Sequence, residues 1–133
     1  MGQSRKALFD TVCAVLKTLE YDYTRTECVF VNTKKGNRAV NIKIDAQADM
    51  RHLIIFAKTH SLKKTELEKM WVLTVKLNQI APFGKFVLDV DDFGFKIVFT
   101  YGESLNESAF AEAFLSVCTM VDIANPVIDL YLD

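Results

Sequence analysis

The chain has little of the residues that break or cross-link a protein fold. Its 133 residues include only five glycines, two prolines and three cysteines. So little glycine and proline excludes a low-complexity chain and predicts order nearly from end to end. Cys13, Cys28 and Cys118 are odd in number, widely spaced and each set in an apolar run. This pattern argues against a disulfide framework or a zinc site and predicts three buried, reduced thiols.

An excess of charge of one sign is also lacking. Sixteen basic residues face 17 acidic ones, for a net charge of −1. No global field would draw the chain onto nucleic acid or an anionic membrane, so we expect neither as a partner. The first six residues do not form a signal peptide, and no apolar run has the length of a membrane span. We therefore predict a cytoplasmic protein with a single domain over 1–133.

Metal-binding patterns are weak. Asp89, Asp91 and Asp92 could offer hard oxygen ligands, but the segment does not follow the EF-hand pattern, and a solvated turn is favoured. His52 and His60, the latter placed in a polar loop, have no cysteine or histidine at ligand spacing. We predict no metal site.

Catalytic and cofactor motifs are absent as well. No glycine-rich loop with phosphate-cradling spacing occurs in the sequence. Each cysteine lies in an apolar run, where a thiol is inert, so a Cys–His nucleophile pair is disfavoured. We therefore expect no catalytic residues and no cofactor.

The order of hydrophobic periodicities is the strongest signal present. Apolar residues recur with helical spacing in three segments and alternate with polar ones in most of the strand-like segments. In chain order we predict a helix over 4–20, strands over 28–32, 40–45 and 52–57, a helix over 65–81, strands over 86–90 and 95–101, and a helix from about 104. The fold class is therefore α+β, in the order α-β-β-β-α-β-β-α, with an antiparallel sheet packed against helices.

Local signals refine the ends of these elements. Thr65 with Glu68, and Ser104 with Glu107, have the spacing of capping boxes that open the second and third helices. Asp92-Phe93-Gly94 predicts the turn of the last hairpin. Pro126 predicts a kink or an end in the third helix.

The second helix is unusually apolar. Its apolar side chains cover an arc of about 220°, wider than the stripe of a one-sided helix. Trp71, the only tryptophan, lies in this arc and fits either a core position, which is slightly favoured, or an interface anchor. If the domain dimerises, we predict that Trp71, Val72, Leu73 and Val75 include residues buried between subunits.

The centre of the chain resembles a known family. Leu77-Asn78, then Pro82-Phe83-Gly84-Lys85-Phe86, then an aspartate-rich hairpin, is similar to the YbjN-like family of small bacterial proteins. The first helix followed by Tyr21-Asp22-Tyr23 and a strand resembles that family too. The resemblance implies a type III secretion chaperone-like fold, commonly as a homodimer. It also implies a regulatory or chaperone-like role, without agreed catalytic residues.

Three functions remain open. The leading interpretation is a non-enzymatic protein-binding module, an adaptor or regulator of a bacterial process that acts as a homodimer with a protein partner. The alternative is a small-molecule-binding domain with an apolar pocket between sheet and helices, lined by Phe86, Phe95, Phe99 and Phe110; these rings would otherwise fill the core. The third is an enzyme with an unrecognised site.

Overall fold

The computed structural model describes residues 4–35, 38–47 and 51–132. Six strands form one antiparallel sheet: β1 (Tyr23–Arg25), β2 (Val29–Lys35), β3 (Arg38–Gln47), β4 (His52–Ser61), β5 (Lys85–Asp89) and β6 (Asp92–Thr100). Three helices accompany it: α1 (Arg5–Thr18), α2 (Leu67–Ile80) and α3 (Glu107–Leu132). A short 3-10 helix, Lys64–Glu66, leads into α2.

The sheet separates apolar from polar side chains. Its strand order is β1-β2-β3-β4-β6-β5, and every neighbouring pair is antiparallel. At the centre, Ile42 pairs with Ala57 and Ile44 pairs with Ile55, and all four side chains are buried on the same face. Lys43, between the two isoleucines, is exposed on the opposite face. Alternation along the strands thus gives the sheet one apolar and one open face.

The helices cover the apolar face. The buried side chains of α1 are Leu8, Phe9, Val12, Cys13, Val15 and Leu16. Those of α3 are Phe110, Phe114, Val117, Cys118, Val121, Ala124, Asn125 and Ile128. Except for the polar Asn125, these residues join one core cluster with the inward side chains of the strands. All three cysteines are buried, as the sequence predicts.

The predicted α+β fold and element order are confirmed, with one short strand added. β1 pairs with β2 at the edge of the sheet through Tyr23↔Val31 and Arg25↔Val29. All three of its side chains are exposed, so it carries no hydrophobic alternation. Only its backbone pairing identifies it. The connections between the strands predicted over 28–32, 40–45 and 52–57 lie partly outside the described residues.

The turn of the last hairpin differs from the prediction. Asp89 pairs with Asp92, so the connection is Val90–Asp91, with Val90 at a φ of 59°. The segment predicted as the turn, 92–94, instead begins β6. Gly94 is required there because a Cβ would overlap the carbonyl oxygen of Ala57 on β4. The glycine at this position allows β6 to lie close to β4, and it does not form a turn.

The helix starts also shift. Glu66 accepts a hydrogen bond from the Lys63 N–H at 2.8 Å, and α2 begins at Leu67 instead of at the predicted capping box. Asn106 Oδ1 accepts from the Ala109 N–H at 3.0 Å, so an asparagine opens α3 where a serine was predicted. α3 thus uses the predicted device, a side-chain acceptor for a free amide, whereas the acceptor near α2 caps the 3-10 helix that precedes it.

Pro126 does not end α3. The helix continues through it to Leu132, so the segment after the proline is helical and no extended tail forms before that residue. Pro126 is exposed, while Asn125 and Ile128 beside it are buried. Packing of this last turn against the core outweighs the hydrogen bond that proline cannot donate.

An ion pair fixes the start of α1 to the end of β3. Arg5 Nη2 lies 2.8 Å from Asp45 Oδ1 and also donates to the Glu27 carbonyl at 2.6 Å. Partial burial opposes the charge on Asp45, but hydrogen bonds from Arg5 and the Ala46 N–H outweigh it and lower the pKa of Asp45. The carboxylate is therefore held in its charged form.

Replacing Asp45 with asparagine tests this pair. A lowered folded-state pKa contributes stability that is present above the unfolded pKa of about 3.9 and is lost as the pH falls through the folded value. Because both side chains are more than a third exposed, we expect Asp45→Asn to lose at most about 1 kcal/mol near pH 7. Urea unfolding from pH 7 to 3 should show the two proteins converging at low pH. A constant difference would contradict the ion-pair account.

Gly94 and Gly102 form a matched pair for testing the strand approach. Gly94→Ala forces a methyl group into the β4 backbone and should lower the free energy of unfolding by about 1–3 kcal/mol. At Gly102 a Cβ meets nothing within 4 Å, so Gly102→Ala should change stability by less than about 0.5 kcal/mol. Equal effects in urea unfolding would show that steric exclusion at Gly94 is not the cause.

Candidate interaction surface on the second helix

One side of α2 is apolar and exposed. Trp71, Val72 and Val75 are 58%, 47% and 56% exposed, and together they are called the α2 patch here. The opposite side faces the core through Met70, Leu73, Thr74 and Leu77. Three of the four residues predicted for an interface therefore lie on the surface. The fourth, Leu73, is buried in the core and is not available to a partner.

The exposure of Trp71 decides between its two predicted positions. Core burial, the slightly favoured one, is wrong for the isolated chain. A tryptophan can bury 150–250 Å² of surface, roughly, and more than half of this side chain remains in water. Large apolar side chains clustered on a surface mark contact sites, and tryptophan is enriched among the residues that anchor them.

A side chain on α2 closes the edge of the sheet. Asn78 Oδ1 accepts from the Phe86 N–H at 2.6 Å, and Asn78 Nδ2 donates to the Phe86 carbonyl at 2.9 Å. β5 is an edge strand, so these backbone groups would otherwise face solvent. The amide group of Asn78 thus replaces part of a neighbouring strand and fixes α2 beside the edge.

A shallow groove lies beside the end of α2. Ile97 and Phe99 sit on the apolar face of β6 but are only half-buried. They line a cavity of about 250 Å³ together with Phe83, Ala109, Glu112, Ala113 and Ser116. Phe83 packs edge to face on Phe95 at a centroid distance of 5.6 Å and is 38% exposed. This Phe83 groove leaves part of the apolar face uncovered.

Among the residues that the structure describes, three of the four phenylalanines predicted to line a pocket are buried in the core instead. Phe86, Phe95 and Phe110 are buried among other core residues, and the rings of Phe86 and Phe95 are 4.9 Å apart. Phe99 is half-buried and lines the Phe83 groove. These rings fill the core, which removes the structural basis for a ligand pocket at that place.

The sequence does not indicate a polar trio of which two members, Thr59 and His60, are buried and the third, Asp129, is partly exposed. His60 lies in β4, not in a polar loop, and is 6% exposed. Its Nε2 is 2.9 Å from Asp129 Oδ1 and its Nδ1 is 2.7 Å from Thr59 Oγ1. Thr59 Oγ1 also donates to the Phe93 carbonyl at 3.3 Å. No signal in the sequence joins residues so far apart.

The trio resembles an acid–base relay in composition, but its environment suits a structural role. Thr59 is only 7% exposed, so a substrate would not reach its hydroxyl without rearrangement. The hydrogen bonds join β4, β6 and α3, including the turn of α3 after Pro126. The trio therefore helps to hold the end of α3 on the sheet.

The aspartates of the last hairpin have different environments. Asp92 forms an ion pair with Lys58, with Nζ and Oδ1 3.0 Å apart, while Asp89 is exposed on β5. Across residues 4–35, 38–47 and 51–132, no group of three or more His, Cys, Asp or Glu side chains is arranged to hold a metal ion.

α3 has an ambiguous composition. By length and apolar content alone it could cross a membrane, whereas the sequence was expected to contain no run of that length. Its buried face, however, forms part of the domain core. Core helices of soluble proteins have the same composition, and the packing identifies α3 as one of them.

The fold is similar to that of a known protein. The structure of YbjN from E. coli, a proposed transcription regulator, matches with a TM-score of 0.70 and 13% sequence identity. The match covers 89% of this chain and 91% of that one. No protein-family model matches the chain, and no curated protein matches it by sequence. The YbjN-like fold predicted from the sequence is confirmed, and at this identity the likeness concerns the fold alone.

Asn78→Ala tests the closure of the β5 edge. The substitution leaves the N–H and carbonyl of Phe86 without their partner, and we expect a loss of about 1–3 kcal/mol in the free energy of unfolding. Hydrogen exchange of the Phe86 amide should accelerate more than that of Phe95, which pairs inside the sheet. Gln79→Ala, at an exposed neighbouring position, is the control. Unchanged exchange at Phe86 would contradict the proposed role.

Proposed function

We propose that the chain is a non-enzymatic protein-binding module, an adaptor or regulator in the cytoplasm, that acts as a homodimer through the α2 patch. The YbjN-like fold supports a regulatory role, because the similar E. coli protein is a proposed transcription regulator. The observation that carries the proposal is the exposure of Trp71 with Val72 and Val75 on a helix whose other side is buried.

Burial of this patch would supply a favourable free energy. Apolar surface removed from water contributes roughly 25 cal/mol per Å². The patch alone is smaller than the roughly 800 Å² per partner of a stable interface. A partner must therefore also cover neighbouring surface. The exposed side chain of Ile80 and the Phe83 groove, both at the C-terminal end of α2, provide such surface.

The charges around the patch favour a second copy as the occupant. Glu68 and Lys76 are exposed and lie four residues to either side of Val72. In a two-fold dimer with antiparallel α2 helices crossing at Val72, Glu68 of one copy meets Lys76 of the other. The charges beside the patch are thus complementary to each other across a two-fold axis, as an isologous interface requires.

The dimer can be tested with the single tryptophan as reporter. On dilution of the intact chain, Trp71 emission should shift to the red as the ring returns to water, in step with a fall in mass by analytical ultracentrifugation. Val72→Asp keeps the reporter and should weaken association at least about tenfold, because it buries an unpaired carboxylate. Val98→Asp, at a 52% exposed position on the other sheet face, is the matched control.

Charge reversal tests the geometry of the dimer. Glu68→Lys alone should weaken association, and adding Lys76→Glu should restore it, because the pair is re-formed with opposite polarity. The homodimer is contradicted if the unmodified chain has the mass of one copy at all concentrations up to about 100-fold above a micromolar Kd. Association without rescue by the double change would contradict the antiparallel arrangement.

A further inference from the structure

The open face of the sheet carries alternating aromatic and basic side chains. Phe30 pairs with Lys43, Lys43 with Phe56, and Phe56 with Lys96. Lys96 pairs in turn with Lys85 on the edge strand. Residues paired across neighbouring antiparallel strands project from the same face. These five side chains, here called the Phe–Lys row, therefore cross β2, β3, β4, β6 and β5 in one line.

The row is accessible and borders two hollows. Phe30 is 37% exposed, and Phe56 is half-buried between the hollows. One hollow has a volume of about 360 Å³ and includes Lys43, Phe56 and Lys96. The other, of about 780 Å³, includes Phe30, Lys43 and Phe56. Asn32 and Asn41, paired with each other, line the second hollow and offer amide donors and acceptors beside the rings.

The local charge differs from that of the whole chain. Two of the carboxylates on this face are already paired, Asp45 with Arg5 and Asp92 with Lys58. Of the charged side chains that line the row and its hollows, those outside these two ion pairs are three lysines and one aspartate: Lys43, Lys85, Lys96 and Asp89. The surface between the two rings is therefore basic, although the net charge of the protein is −1.

We propose that the Phe–Lys row binds single-stranded nucleic acid. Phe30 and Phe56 lie two strands apart, about 10 Å, which suits rings that each stack on a different base of an extended strand. The lysines beside the rings neutralise phosphates, and the paired asparagines meet base edges. Both hollows are open to solvent and share Lys43 and Phe56, which suits a polymer that spans the sheet. The expectation of no nucleic-acid partner rests on net charge and does not consider this local arrangement.

Fluorescence anisotropy with the full chain tests this proposal. Labelled oligothymidylate and oligouridylate of about 16 nucleotides should bind saturably, and matched duplex DNA should bind at least about tenfold more weakly. Phe30→Leu and Phe56→Leu keep apolar bulk in the sheet but remove the ring, so each should weaken binding by about 5- to 150-fold, the range for a lost base stack. Circular dichroism and urea unfolding confirm that each variant remains folded.

The contribution of the lysines is measured separately, through the salt dependence of binding. Lys43→Gln and Lys96→Gln should each lower the slope of log Kd against log salt by about 0.7, the value for one phosphate contact on a single strand. Lys17→Gln, at an exposed position on α1 outside both proposed surfaces, and Val98→Ala, one row away on the same face, should leave both affinity and slope unchanged. The proposal is overturned by absence of saturable binding, by equal affinity for the duplex, or by binding that survives both leucine substitutions.

Discussion

The structure depends on the register of three central strands, β3, β4 and β6. Because side chains alternate along a strand, this register places the buried apolar residues Ile42, Ile44, Leu53 and Ile55 on one face, and a slip of one residue would turn them to the other. Gly94 is part of that constraint, since it lets β6 approach the β4 backbone at Ala57. Phe93 and Phe95, on either side of it, are then completely buried. The helices have only one face on which to pack.

Three helices cover that face unevenly. α1 and α3 contact each other over the middle of the sheet, where Tyr21, just after α1, also packs on Phe114. α2 lies instead over the edge strand, held by Asn78, and its far side extends beyond the sheet. Because α2 lies over the edge strand, Ile97 on β6 remains half-buried and Trp71 on α2 remains exposed. The candidate interaction surface is thus the part of the apolar layer that a 133-residue chain leaves uncovered.

The sequence predicts what depends on short-range periodicity. Helical spacing and alternation indicate the three helices, five of the strands and the final hairpin, because these signals arise within about 20 residues. The wide apolar arc of α2 also marks an unusual helix. It does not show which side faces the core, so Leu73 and Trp71 look alike in sequence although one is buried and the other exposed.

What depends on distant pairing could not be predicted. Gly94 looks like a turn residue because the sequence does not reveal how closely β4 approaches it. His60 looks like a loop residue because its partner Asp129 is 69 positions away. The Phe–Lys row likewise requires the register of five strands before its members align. Each case needs knowledge of which strands or helices become neighbours.

The two proposed surfaces are compatible because they lie on opposite faces of the same sheet. Lys96 belongs to the Phe–Lys row, whereas Ile97, the next residue of β6, lines the Phe83 groove. A dimer formed through α2 would therefore leave both open faces accessible and would hold two rows at a fixed separation. A strand long enough to reach both rows would bind the second one intramolecularly, and its affinity would exceed that of either row. Dimerisation and nucleic-acid binding would then be linked, although the surfaces share no side chain.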